Sequence, residues 1–262
     1  MKMTANFMKN VLFFKNFSKI QRSHQTSPFS MGDLIIPPPG EPLDIKDWRR
    51  TYKNKEEPQL EKHCLHEDPF IQFDLWFKDV AKKDLSFEEI NAVSLSTCSN
   101  NKPSSRMVLL KKYDPNGFAF YTNYTSRKGR ELSENPNAAM LFYWPAVSRQ
   151  VRIEGIVQKL SQEDADEYWV SRPLGSRIGS KSSHQSTEIP HRSVLEDETR
   201  RLEELAKKEG PDAITRPECW GGFILRPKYF EFWQGQPSRL HDRIIYEQTP
   251  EATVWKKKRL SP

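Results

Sequence analysis

The sequence predicts an α+β fold dominated by an antiparallel sheet, and three observations carry that prediction. From Asn91 onward, short alternating or β-branched runs are broken by turn residues; helical patterns interrupt them at three places; and no internal repeat or low-complexity break follows Leu43. With 262 residues the chain is long enough to bury a sizeable core. We read residues 1–45 as a flexible leader and proline-rich arm, and 46–262 as one domain.

Along the chain, residues 1–32 carry Lys2, Lys9, Lys15, Lys19 and Arg22 with no acidic residue before Asp33, a pattern shared by mitochondrial leaders and by plain basic tails. A cytoplasmic protein is the first expectation, with a mitochondrial one open. The I-I-P-P-P-G-E-P-L stretch from Ile35 to Leu43 cannot sustain a helix or a central strand. Over residues 69–82, Phe70, Phe73, Trp76, Phe77 and Val80 recur at spacings of three and four, which predicts a helix whose aromatic face is core. Strands are expected at Ala92–Thr97, Arg106–Tyr113, Phe118–Asn123, Ala138–Trp144, Arg149–Lys159, Trp220–Trp233, Arg239–Tyr246 and Thr253–Arg259. Asp114-Pro115-Asn116-Gly117 supplies hairpin turn chemistry between the second and third. Ser126 can cap a helix through Glu134, Ser161 with Asp164 resembles a capping box for a helix that Pro173 stops, and Val194–Glu209 reads as a solvent-facing charged helix.

A net charge of +6 and a pI near 9.1 suit anionic partners, although excess surface lysine would give the same balance. Cys64, Cys98 and Cys219 form no C-x-x-C pair, so neither a disulfide framework nor a zinc knuckle is indicated. His63, Cys64 and His66 lack a second ligand pair, and no metal is expected. No apolar run approaches the length that crosses a bilayer. Nucleic-acid binding lacks its aromatic-basic ladder.

Three basic clusters suggest chemistry. Arg239, His241 and Arg243 form R-x-H-x-R in a β-type run, and a strand period of two would put all three on one face. An exposed edge-strand charge cluster is the alternative; the aromatic stripe and glycine of Phe230–Gln236 favour a site. At the start of the Ser126 helix, Arg127 and Lys128 join free backbone N–H groups that favour phosphate. Tyr168 and Arg172, four apart on one helix, and Ser176 just beyond its stop make a natural set for a phosphate monoester, or else a Tyr/Arg stack within the helix.

Read together, R-M-V-L-L-K (106–111), F-Y-T-N (120–123), S-R-K-G (126–129), R-Q-V-R-I-E-G (149–155), Y-W-V-S-R-P-L-G-S (168–176), S-H-Q-S (183–186) and E-F-W-Q-G-Q-P-S-R-L-H-D-R (231–243) resemble the pyridoxine/pyridoxamine 5′-phosphate oxidase family in order and spacing from about Arg49 to Pro262. The resemblance implies an FMN-binding split β-barrel, a homodimer with each flavin at the subunit interface, and oxidation of pyridoxine 5′-phosphate and pyridoxamine 5′-phosphate to pyridoxal 5′-phosphate. It further implies hydride removal from the 4′-carbon to the flavin, then reoxidation by dioxygen to hydrogen peroxide. By position, the implied FMN contacts are Arg106, Met107, Val108, Leu109, Tyr121, Thr122, Arg127, Lys128, Gln150, Gln185, Ser186, Trp233 and Arg243. The implied substrate contacts are Lys111, Tyr168, Arg172, Ser176, Arg239 and His241, with Arg49 and Tyr52 as an N-terminal R-x-x-Y contact. Arg239 and His241 would be catalytic, with the base assigned to neither. Arg106 and Lys111 are an odd number apart, so one regular strand would aim them at opposite faces unless a bulge intervenes. Arg177 stands where relatives commonly carry Gln and would add charge beside the substrate phosphate. A non-catalytic flavin or pyridoxal phosphate carrier on the same barrel is the competing reading.

Overall fold

The computed structural model describes residues 38–39, 52, 60, 65–83, 89–237, 239–249 and 254–262. The leader, the arm apart from Pro38 and Pro39, the boundary at residue 45 and Arg49 lie outside the described residues.

Pro69–Ala81 forms the first helix, α1, where the aromatic spacing predicts it. Asp68 caps it by accepting from the Phe70 N–H at 2.8 Å, and Pro69 fits the first turn because its missing N–H would have no partner there. Phe73, Trp76 and Val80 are buried; Phe73 meets Phe118 and Phe142 edge-on at 4.9 and 5.1 Å, and Trp76 meets Phe232 at 5.2 Å. Each such burial is worth about 1.5–3 kcal/mol, so the stripe anchors α1 to the sheet as core.

Among the described residues nine strands follow: Ala92–Ser99 (β1), Lys102–Leu109 (β2), Lys112–Asp114 (β3), Gly117–Asn123 (β4), Asn137–Trp144 (β5), Arg149–Lys159 (β6), Trp220–Gln234 (β7), Asp242–Gln248 (β8) and Trp255–Leu260 (β9). Every pairing is antiparallel, in the order β2-β1-β5-β6-β7-β4-β3, with β8 between β7 and β9. The end strands β2 and β3 are joined by Leu110 and Lys111 alone, so the sheet must curl until its ends meet. Leu110 N–H bonds the Asn91 carbonyl on one side of that seam, and Lys111 N–H bonds Ala119 on the other. One edge of β7 is shared, by β4 up to Leu225 and by β8 from Tyr229 on, so the sheet divides along its longest strand.

Two strand expectations are corrected. Arg106–Tyr113 is not one strand, because the chain leaves β2 after Leu109 and restarts at Lys112; the seam answers the parity conflict between Arg106 and Lys111. The run Arg239–Tyr246 begins only at Asp242, because Arg239 takes a left-handed φ of 61° that a strand cannot hold. Same-face alternation therefore does not extend to Arg239.

Arg127–Glu134 (α2), Gln162–Ser171 (α3) and Ser193–Glu209 (α5) match expectation, with Ser126 and Ser161 accepting at their caps. Leu174–Lys181 (α4) is an additional helix, so Ser176 lies within it; Pro173 ends one helix and stands at the N-cap of the next, its carbonyl accepting from the Ser176 and Arg177 N–H groups. Arg172 has extended backbone at the end of α3, and so does not continue the helical face of Tyr168. The charged α5 turns Leu202 and Ala206 inward, with Leu205 half-buried beside them, and these join Trp169, Ile178, Ile214 and Trp220 in a second core.

Candidate active site

The first cavity, of about 650 Å³, opens where the β2–β3 seam, β4, the start of α2 and the α3–α4 corner converge. Met107, Val108, Leu109, Lys111, Tyr121, Thr122, Lys128, Tyr168, Arg172, Ser176 and Gln185 all line it. Ser126 caps α2 by accepting from Gly129 N–H at 3.2 Å. A Cβ on Gly129 would stand 2.1 Å from the Tyr124 carbonyl oxygen, so only glycine lets α2 sit this close to the loop. That packing delivers Lys128 to the cavity wall. Its ammonium donates to Thr122 Oγ1 at 3.1 Å and Gln185 Oε1 at 2.8 Å. Burial first, and then the neighbouring Arg106, push its pKa down to about 8, with Glu131 opposing. Ser186 follows Gln185 in a left-handed turn, φ 69°.

On the opposite wall Tyr168 stacks on Tyr121 at 4.0 Å, and both rings lie parallel to Trp220. The Arg172 guanidinium lies over Trp220 at 4.8 Å and Trp169 at 5.3 Å. Among the described residues its buried Nη1 has no hydrogen-bond partner, a costly state for a charged donor. Burial pushes its pKa down, with Tyr168 opposing. Lys111, Tyr168, Arg172 and Ser176 therefore bring two cations and two hydroxyls to one cavity, and an anion would satisfy the orphaned N–H. Arg177 is buried on α4 with an unpartnered Nε, but does not line this cavity.

Arg106 and Arg127 are also outside the lining and converge on the Glu131 carboxylate. Arg106 Nη2 meets Oε2 at 3.0 Å and Arg127 Nε meets Oε1 at 2.8 Å, with Thr97 and Ser104 donating to Oε2 as well. Burial works against this carboxylate's charge, but Thr97, Ser104, Arg127 and Arg106 outweigh it and hold its pKa at about 2. Glu131 carries no motif of its own; its i+4 position from Arg127 is the one signal of it in the sequence.

A second cavity, of about 400 Å³, is lined by Gln150, Arg152, Glu231, Trp233, His241, Arg243 and Pro262, none of which lines the first. Arg243 grips Glu231 with two N–H groups, at 2.8 and 3.2 Å, and donates to the Ser261 carbonyl at 2.9 Å. Arg152 donates to the same carboxylate at 2.6 Å. Burial raises the Glu231 pKa, but Arg243 and Arg152 outweigh it and the net shift is downward. Glu231 shows in the sequence only as a lone acid inside the aromatic F-E-F-W run. His241 Nδ1 accepts from the Gln236 N–H at 3.0 Å, while Trp233 and Tyr52 pack on its ring at 4.9 and 5.3 Å. Arg239 precedes it in the loop before β8. Burial and then Arg239 push the His241 pKa down, with Asp242 opposing.

Comparison with known proteins identifies the family. The family described as pyridoxamine 5′-phosphate oxidase matches residues 81–206, and the pyridoxine 5′-phosphate oxidase C-terminal dimerisation region matches residues 220–262, which carry most of the second cavity. A Caenorhabditis elegans protein provisionally named a pyridoxamine 5′-phosphate oxidase is 59% identical over 84% of this chain and 98% of its own length. A Burkholderia mallei pyridoxine/pyridoxamine 5′-phosphate oxidase is 47% identical over 83% of this chain and 99% of its own. Among solved structures, PhzG from Burkholderia lata, in complex with tetrahydrophenazine-1-carboxylic acid, superposes with a TM-score of 0.71 at 31% identity, covering 79% of this chain and 98% of that one. A Nostoc punctiforme protein described as FMN-binding shares the fold, with a TM-score of 0.58 at 17% identity, covering 72% of this chain and 97% of that one. With two family regions matched in chain order and such identity across nearly whole relatives, this chain is an oxidoreductase that belongs to the pyridoxine/pyridoxamine 5′-phosphate oxidase family.

Proposed function

We propose that this chain oxidises pyridoxine 5′-phosphate and pyridoxamine 5′-phosphate to pyridoxal 5′-phosphate with FMN as cofactor, working as a homodimer. The observation that carries the reading is the buried, unpartnered Arg172 Nη1 in a cavity that also holds the buried cation Lys128. A flavin phosphate and a substrate phosphate give each cation a partner, and a buried dianion needs several such donors. Bound FMN would supply the two-electron acceptor for the 4′-carbon and pass the electrons to dioxygen, giving hydrogen peroxide.

The chain's own residues bind and orient. Lys128, which already bonds Thr122 and Gln185, would hold the flavin phosphate with the Gln185–Ser186 turn, and Arg106 and Arg127 would extend the positive field from their places on Glu131. Lys111, Tyr168, Arg172 and Ser176 hold the substrate phosphate. Met107, Val108 and Leu109 supply the apolar wall beside the ring system. Gln150, Trp233 and Arg243 line the second cavity with His241, and in a homodimer the partner subunit would complete the site by presenting that cavity to the first one. His241, packed against Tyr52, would face the substrate ring, and Arg239 would reach it from the loop before β8.

The absorption spectrum of the purified protein tests the reading. A bound flavin that bleaches anaerobically with pyridoxine phosphate and recovers with oxygen is expected. A flavin that stays oxidised would make the chain a carrier, and failure to bind FMN would remove the proposal.

A further inference from the structure

We infer that His241 serves the bound substrate as a hydrogen-bond donor through Nε2 and not as a proton acceptor, because the backbone N–H of Gln236 occupies the Nδ1 lone pair. This rests on the proposed oxidase reading and assigns a role within it.

A neutral imidazole has one N–H and one lone pair. The Gln236 N–H, 3.0 Å from Nδ1, can only donate, so Nδ1 carries the lone pair and Nε2 carries the hydrogen. To accept a proton the ring would have to use Nδ1 and expel the Gln236 N–H, leaving a part-buried donor unpaired. Gln236 has little freedom to turn away. Its buried side chain donates to Asp242 Oδ2 at 2.9 Å, and Asp242 is held in turn by Arg259 at 2.6 Å and by the Leu60 N–H at 3.0 Å. The Arg239 N–H closes the loop onto the Gln236 carbonyl at 3.2 Å.

The ring's other sides are clamped. Trp233 packs on it at 4.9 Å and Tyr52 meets it edge-on at 5.3 Å. Tyr52 is seated over Gly235, where a Cβ would come within 2.8 Å of its ring. Nε2 is thus the nitrogen left for a ligand in the cavity shared with Gln150 and Arg243. Arg239, Arg152 and Arg243 supply positive charge around this ring, and Asp242 and Glu231 negative charge. Burial and Arg239 both oppose an imidazolium, which agrees with a neutral donor.

Histidine-selective ¹⁵N NMR of the full chain with FMN added reads the tautomer directly. The chain has six histidines, and the His241 signals are those lost in His241→Gln. The Nε2-protonated neutral ring at pH 7 is expected; an Nδ1–H tautomer or an imidazolium overturns the inference. Steady-state oxidation of pyridoxamine phosphate gives the second readout. His241→Gln, whose amide N–H reaches the Nε2 position, should stay within about tenfold of wild type, whereas His241→Ala should fall at least about thirtyfold. A Gln variant as impaired as the Ala variant, or one whose rate loses a pH limb present in wild type, also overturns it. If the wild-type chain oxidises neither substrate, the oxidase reading fails, and the tautomer measurement still judges the hydrogen bond on its own.

Discussion

Arg172 and Lys128 are both cations held out of water, but they differ in what they lack. Arg172 keeps a buried N–H with no acceptor, so truncating it removes a cost of about 1–3 kcal/mol along with its stacking on Trp220. Arg172→Ala should therefore leave the melting temperature nearly unchanged while the Michaelis constant for pyridoxamine phosphate rises. A loss of roughly 2–4 kcal/mol in binding predicts about a thirty- to thousandfold drop in kcat/KM, and an unchanged KM would remove Arg172 from the substrate site. Lys128 has its hydrogen-bond partners but a pKa depressed to about 8, so its charge titrates close to working pH. A phosphate dianion favours the charged form, so above pH 8 FMN binding must take up a proton. FMN affinity should fall as pH rises past about 8, by at most tenfold per unit, and fluorescence titration of Lys128→Gln should show that slope flattened.

At the scale of elements, α2 carries the most exacting placement, since Gly129 and the Ser126 cap together aim Lys128. Gly129→Ala would drive a methyl into the Tyr124 carbonyl and push α2 outward, costing about 1–3 kcal/mol of stability by the scale of overpacking. It should also weaken FMN binding more than Ser126→Ala, which loses only a cap worth about 1 kcal/mol; thermal denaturation with flavin titration compares the two. Such elements were legible in sequence where one local rule governed them: the caps of α2 and α3, the aromatic face of α1 and the full span of β6. The misses lie where tertiary closure overrode local pattern. The β2–β3 break exists because the barrel must close there, and α4 restarts where proline had implied only a stop. The Asn100-Asn101 turn, with φ of 49° and 59°, extends β1 and β2 beyond their expected ends; its paired asparagines were a readable hairpin signal. In the site, the cations were visible from charge and motif order. Glu131 and Glu231, which orient those cations, look in sequence like ordinary acids.

For the whole molecule, the decisive fact is that most of the proposed flavin and substrate residues line one or the other of two cavities with no lining residue in common, while Arg106, Arg127, Ser186, Arg239 and Tyr52 line neither. A two-fold dimer could bring the first cavity of one copy to the second cavity of the other, and it would make two such sites at once. FMN should accordingly raise the melting temperature, and raise it further with excess ligand, because it binds the assembled state. Subunit mixing gives the sharper test. Arg172→Ala disables the first cavity and His241→Ala the second, so each homodimer has two damaged sites. In a mixed dimer one site takes the intact first cavity of one chain and the intact second cavity of the other, while the remaining site carries both lesions. Random reassociation of equal amounts puts half of the dimers in the mixed form, so at substrate well below KM activity should recover to about a quarter of wild type from two nearly inactive parents. Co-refolding the two variants and measuring pyridoxamine phosphate oxidation reads this directly. Activity no higher than the mean of the parents, with mixed dimers verified by differently tagged chains, would place both cavities' residues in a site built by a single chain.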